Sequence, residues 1–239
     1  MADREPLPYP EDPREWAPMR VYRGRGRRRF EVKDPLVEPL WSGTRVLAHV
    51  TIAPEADPPA TVELIEESSL ELAAELPELA AAIGAGVLAL DAIIDGIITR
   101  QLTLDGVGAA AIPEVRSRPA EMLLRGSIDH DVQARGSIAE QAAEAEPVDG
   151  FVAVDLLRID GTVLLDVPLL ERKRLLEGVI RPGPLLRLSN HVRPPHDPWV
   201  ATWKSMGLRG GILKGANSRY HPNDDTTEWQ VVERLNRRA

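Results

Sequence analysis

The stretch "FVAVDLLRIDGTVLLDVPLLERKRLLEGVI", residues 151–180, constrains the fold more than any other part of the chain. Its first ten residues, seven of them Phe, Val, Ala, Leu or Ile, read as a buried strand. "GTVL" makes a turn, and Pro168 opens a helix whose leucines recur as a stripe. Strand-like and helix-like segments of this kind alternate irregularly along the rest of the sequence. "TRVLAHVTI" and "TVELIEE" read as strands on either side of the Pro-rich turn "APEADPPA". "SSLELAAELPELAAAI" has leucine and alanine at helical spacing from Ser68 to Ile83, with Pro77 as a break or a first turn. "GVLALDAIIDGIITRQLTLDG" reads as an apolar run that turns back as a hairpin, since Asp-Gly is a strong turn signal. From Ala109 to Gly150 the chain is rich in alanine, acids and glycine, which suits a helix or two. "LLRLSNHV" is a strand, "HDPWVATWKSMG" a helix with a Pro start and a Gly stop, and "GGILKG" and "TEWQVVERL" are short strands. There is neither strict βαβ alternation nor a repeat, so the expected class is α+β, with antiparallel sheets flanked by helices.

Two regions differ in charge. The chain has a formal net charge of −8, yet "MRVYRGRGRRRF" holds Arg20, Arg23, Arg25, Arg27, Arg28 and Arg29, while residues 54–147 carry eighteen acids against five bases. Residues 1–35, with several prolines and little apolar periodicity, read as an Arg-rich N-terminal arm, and residues 36–239 as the folded domain. A basic arm of this kind binds nucleic acid through the backbone charge or docks on the protein's own acidic surface.

Composition closes several routes. Without cysteine there is no disulfide, thiolate nucleophile or cysteine metal site, and the five histidines lack ligand spacing, so no protein-held metal is expected. No run approaches eighteen uncharged apolar residues, and the N-terminus lacks the layout of a secretion signal. The expectation is a cytoplasmic protein. Only four of the 29 basic residues are lysines: Lys33, Lys173, Lys204 and Lys214.

From about residue 36 to 233, the order and wording of these segments resemble the adenylation (nucleotidyltransferase) domain of ATP-dependent DNA ligases, the bacterial end-joining type above all. The likeness is strongest over residues 151–180, and "SNHVRPP", the Trp-containing helix, "GGILKGANSRYHPN" and "TEWQVV" follow in the family's order. The resemblance implies a ligase-like nucleotidyltransferase fold, ATP and Mg²⁺ as cofactors, DNA as a partner, and a role in DNA repair and recombination. It also implies a lysine nucleophile in a K-x-D-G-x-R pattern, which takes AMP from ATP. That pattern falls on "LWSGTR", where Leu40 replaces the lysine and Ser42 the aspartate, leaving Gly43 and Arg45. A leucine has no lone pair and forms no phosphoramidate.

Other family elements depart in the same direction. The ribose-side segment falls on Glu66-Glu67-Ser68-Ser69, the metal-side D-G-E on Asp95-Gly96-Ile97, and the E-G-x-x-x-K element on Arg209 to Lys214, which keeps its lysine. In the last motif Trp229 remains, but Val231 and Glu233 replace two lysines. Since only a few residues follow, the reading expects no OB-fold domain.

The nucleotide-binding residues carried over by the resemblance are therefore Glu38, Gly43, Arg45, Phe151 and Lys214, with no catalytic residue and with ATP and Mg²⁺ binding lost or weakened. Each position has a plainer reading beside it. Lys214 serves equally as an exposed strand lysine, Glu38 and Arg45 as an ion pair with each other, Phe151 as core, and Asp95-Gly96 as a hairpin turn. Trp199 and Trp203, four apart, read as helix packing. The function expected is a non-adenylating, ligase-like pseudoenzyme of DNA repair that binds DNA through Arg23, Arg25, Arg27, Arg28 and Arg29, or docks on a repair protein. The alternative is an enzyme with residual ATP-dependent nucleotidyl transfer, a DNA ligase activity, for which Lys214 is the candidate nucleophile.

Overall fold

A computed structural model describes residues 9–21, 31–68, 70–100 and 149–232. The arginines from Arg23 to Arg29, the Ala-rich stretch 109–148, Ser69 and Glu233 lie outside the described residues.

The centre is a six-stranded sheet in the order β4-β3-β5-β6-β7, with β8 joined to β6. These strands are β3 (Thr44–Ile52), β4 (Ala60–Glu66), β5 (Asp91–Thr99), β6 (Gly150–Ile159), β7 (Thr162–Val163) and β8 (Leu186–Leu188). The pairings are antiparallel except β6 with β8. The apolar run of β6 is buried on both faces from Gly150 to Leu157, as its composition requires. Alternation along the neighbouring strands separates the two faces. Val46, Ala48 and Val50 of β3, with Ile94 of β5, enter a core also built from Leu79 and Ile83 of helix α1 (Pro77–Gly86) and Leu176 and Val179 of helix α2 (Leu169–Val179). Leu47, Ile93 and Leu157 point the other way, against Trp16, Met19, Tyr220 and Trp229. Each fully buried aliphatic side chain of this kind contributes about 1.5–3 kcal/mol.

A second sheet, in the order β11-β9-β2, consists of β2 (Pro35–Pro39), β9 (Gly211–Gly215) and β11 (Trp229–Val232). Helix α3 (Asp197–Ser205) packs on it through Val200 and Trp203, and its indole neighbour Trp199 lies 6.3 Å away between ring centroids. Gly207, at φ +87°, ends this helical segment as a glycine stop does. A two-stranded pairing of β1 (Arg20–Val21) with β10 (Asp225–Thr226) completes the described strands. The architecture is α+β with mainly antiparallel sheets, and the described residues include no separate OB-fold barrel.

Three local expectations give way to tertiary structure. The run from Leu70 to Leu76 is not helical. Leu76 stands outside the α region before Pro77, which can only open a helix, and Leu72 and Glu71 fold back on Leu64 and Ile65 of β4. Asp95-Gly96 is no hairpin turn but the middle of β5, paired with β3 on one side and β6 on the other. Gly96 is required there by the Phe151 ring, since a Cβ would lie 2.1 Å from its Cζ. Part of the segment read as an arm is built into the body: Trp16 and Met19 are buried, and Asp12 caps a 3₁₀ turn over Pro13–Glu15 by accepting from the Arg14 N–H at 2.9 Å.

Gly43 stands at the entry to β3 with φ +151°, and a Cβ there would meet the Ile98 carbonyl oxygen at 2.0 Å. Gly43→Ala is therefore expected to lower stability by about 1–3 kcal/mol, read from the urea midpoint. Gly178→Ala, in a helix with open space around it, is expected to leave stability unchanged or raise it by up to about 1 kcal/mol.

Candidate functional site

The loop Leu40–Gly43 joins β2 to β3 and so spans the two sheets. Glu38, near the end of β2, is only 1% exposed and receives two lysines. Lys173 of α2 places Nζ 2.9 Å from Oε1, and Lys214 of β9 places Nζ 3.2 Å from the same carboxylate. Lys214 also stands 4.3 Å over the ring of Trp229, its cross-strand partner. At 3% exposure it is not the exposed strand lysine of the plainer sequence reading. Burial works to raise the Glu38 carboxyl, but the charges of Lys173 and Lys214 outweigh it and hold the group below its usual range. Burial pushes the Lys214 ammonium down; Glu38 opposes this and Lys173 adds to it.

A second cluster lies on the face of the large sheet opposite α1. Arg45 forks onto the buried carboxylate of Asp95, with Nε to Oδ1 at 2.9 Å and Nη2 to Oδ2 at 2.5 Å, while Nη1 donates to the Met19 carbonyl. Tyr220 donates its hydroxyl to Asp95 Oδ2 at 2.8 Å and accepts the Met19 N–H at 2.9 Å. Burial works against the Arg45 charge, but Asp95 more than restores it. Burial, then Asp95, drive the Tyr220 hydroxyl well above its ordinary value. Behind these, Arg172 forks onto Asp155 at 2.9 and 2.8 Å, with both side chains fully buried, and donates to the carbonyls of Val167 and Ser218.

Glu38 and Arg45 thus do not pair with each other, because each finds closer partners inside the body. Phe151 lies in the helix-side core beneath Gly96. Leu40 is half-buried and its N–H donates to the Gly210 carbonyl at 3.0 Å, in keeping with a residue held by its backbone. Beside it, Gly43, Thr44, Arg45, Glu66, Glu67 and Ser68 line an open concavity of about 530 Å³. Two of its six lining residues are acids, and its one cation already serves Asp95.

Arg172, Lys173, Asp155, Tyr220 and Met19 were not singled out from the sequence. A signal for the first two existed. With Leu169, Leu176 and Val179 they occupy i, i+3, i+4, i+7 and i+10 of α2, its apolar stripe, and these are its buried residues.

The residues present do not suit ATP with Mg²⁺. Position 40 offers no nucleophile, position 97 is Ile, and both oxygens of Asp95 are engaged by Arg45 and Tyr220. Among the described residues there is also no group of three or more His, Asp or Glu side chains placed to hold a metal ion. None of the described helices is long and apolar enough to cross a membrane.

No family model and no curated protein matches this sequence. Solved structures do. The ligase domain of Mycobacterium tuberculosis LigD aligns with a TM-score of 0.58 at 21% identity, covering 91% of this chain and 59% of that one. Mycobacterial DNA ligase D complexed with ATP and MES aligns with a TM-score of 0.58 at 22% identity, covering 91% and 60%. The chain has the fold of these ATP-dependent DNA ligase domains and spans about three fifths of their length.

The Glu38 cluster ties stability to pH. Because the folded Glu38 carboxyl titrates below its unfolded value, its contribution is present at neutral pH and is lost as pH falls through about 4 and below. Glu38→Gln strands two buried ammonium groups and is expected to cost about 3–5 kcal/mol at pH 7. It should also flatten the acid limb of the stability curve, and adding Lys214→Met should recover part of the loss; urea titrations across pH check all three.

Proposed function

We propose that this is a non-adenylating, ligase-like pseudoenzyme of DNA repair that holds DNA. One observation carries the reading: the charged groups a nucleotide and its metal would need are closed on one another, around a loop whose nucleophile position is Leu40. Preorganised cations raise the rate of nucleotidyl transfer only when they are free to meet developing charge. Here Arg45 and Lys214 satisfy internal carboxylates, and removing them from those partners would leave Asp95 and Glu38 buried and unpaired.

DNA binding is assigned to the basic run Arg23, Arg25, Arg27, Arg28 and Arg29. Its flanks support this, since Val21 lies in β1 and Val32 is buried, so both sides of the run are fastened to the body. Contacts to the DNA backbone by such a run weaken steeply with salt. A repair protein docking on the acidic residues between 54 and 147 is the other partner consistent with the charge distribution.

A second reading, residual nucleotidyl transfer by Lys214, is favoured by one feature. Burial lowers the pKa of its ammonium, as a lysine nucleophile requires. Against it stand the Glu38 contact at 3.2 Å and the Trp229 ring that covers the amine.

Intact mass after incubation with ATP and Mg²⁺ separates the two. No AMP adduct is expected in the native chain or in Leu40→Lys, which restores the nucleophile but not its surroundings; an adduct lost in Lys214→Met would establish the second reading. Replacing the five arm arginines by Gln is expected to weaken duplex DNA binding and to reduce the slope of log K against log salt by about 0.9 for each phosphate contact removed.

A further inference from the structure

A row of four residues crosses the large sheet beneath the first described segment. Glu63 of β4 stands opposite His49 of β3, His49 opposite Ile93 of β5, and Ile93 opposite Arg158 of β6, so the four share one face. It is the face of Leu47 and Ile93, on which Trp16 and Met19 pack. An ion pair closes each end of the row. Arg14, from the covering segment, reaches Glu63 at 3.4 Å, and Arg158 meets Asp91 at 3.0 Å. His49 stands between them, half-buried, with its Nε2 fully enclosed and without a hydrogen-bond partner.

This place suits one form of the ring. A neutral imidazole can carry its proton on Nδ1 and leave Nε2 a bare acceptor, whereas an imidazolium carries hydrogen on both nitrogens. Its enclosed Nε2–H would be a charged donor with nothing to receive it, which costs more than an unpaired neutral acceptor. Burial accordingly pushes the His49 imidazole below its ordinary value; Arg14 and Arg158 push the same way, and Glu63 and Asp91 oppose them. Those two carboxylates already face the two arginines. The strands of the row are fixed by their ladders, but the cover is held more loosely at its Arg14 end. The backbone bonds of Glu15 and Trp16 close a turn within the segment, and Glu15 and Ala17 also bond to Asn223, outside the sheet. The Arg14–Glu63 pair is exposed, and such pairs contribute little.

We propose that His49 is a proton-operated latch: when the ring takes up a proton, the covering segment loosens from the sheet at its Arg14 end and lets water reach Nε2. The latch does not depend on what the arginine arm binds. Because the folded value is depressed, the contribution of neutral His49 is whole above the ordinary value of about 6.5 and is lost as pH falls below it. Glu38 gives way only near pH 4 and below, so the two effects separate.

Hydrogen exchange of the full chain, corrected for the intrinsic rate, is compared at about pH 7.5 and about pH 5.5. The readout is the amides of Glu15, Trp16 and Ala17, all hydrogen-bonded, with Gly211–Gly215 of β9 as the reference. In the native chain the three amides are expected to open about three- to tenfold more often at the lower pH, while β9 is unchanged; one pH unit below the ordinary value allows at most about tenfold. In His49→Gln, which cannot take up the proton, the response is expected to vanish. The proposal is overturned if the native segment opens equally at both pH values, or if the response survives in His49→Gln. It is equally overturned if β9 opens in step with the segment, since the proton then acts on the whole domain and not on its cover. Should His49→Gln fail to fold, His49→Phe, which keeps a ring without nitrogen, supplies the comparison.

Discussion

A carboxylate in the middle of a sheet has to be neutralised where it stands, and Asp95 sets that requirement for this molecule. Its two oxygens, on β5, take Arg45 from β3 and Tyr220 from the loop before β10, and Tyr220 in turn receives the Met19 backbone. Four parts of the chain thereby meet at one buried charge. Removing any of them exposes the others to the penalty of an unpaired group in a low-dielectric interior. The Arg172–Asp155 fork, one strand over on β6, repeats the arrangement and joins α2 to the same layer through the Ser218 carbonyl. The face of the large sheet opposite α1 is consequently held by charge pairs closed on one another.

The pairing also accounts for how much could be read from sequence. Strands whose burial is written in their own composition, such as β3, β4 and β6, were legible to within a residue or two, as were the Pro-started helices α2 and α3. Positions decided by distant partners were not. Asp95-Gly96 carries a local turn signal, yet a guanidinium fifty positions earlier in the chain and a ring from β6 keep it extended. Lys214 looks like a solvated lysine until Glu38 is placed across the sheet from it. The identities at positions 38, 40, 43, 45 and 214 were plain, but their mutual contacts belong to tertiary structure.

Lys173 shows why the count of lysines misleads as a guide to the site. Two buried ammonium groups share one carboxylate, which attracts both while each disfavours the other's charge. Lys214 rests on the face of Trp229, where the ring quadrupole adds a share of the compensation that a second carboxylate would otherwise supply. The retained aromatic of the last strand thus acts on a neighbouring cation of the same sheet.

The contact between Met19 and Tyr220 joins residues 201 positions apart, and β1 pairs with β10 across a similar interval. The sheet face formed by Leu47, Ile93 and Leu157 is covered by the first described segment together with the last. During synthesis the early residues emerge long before their partners exist, so this layer closes only after Tyr220 and Trp229 have been made. Such long loops are slow to close, since their entropy must be surrendered before the contacts that reward it are made. The order of translation therefore leaves the apolar underside of the sheet open until those late residues arrive, longer than in a layer built from local contacts.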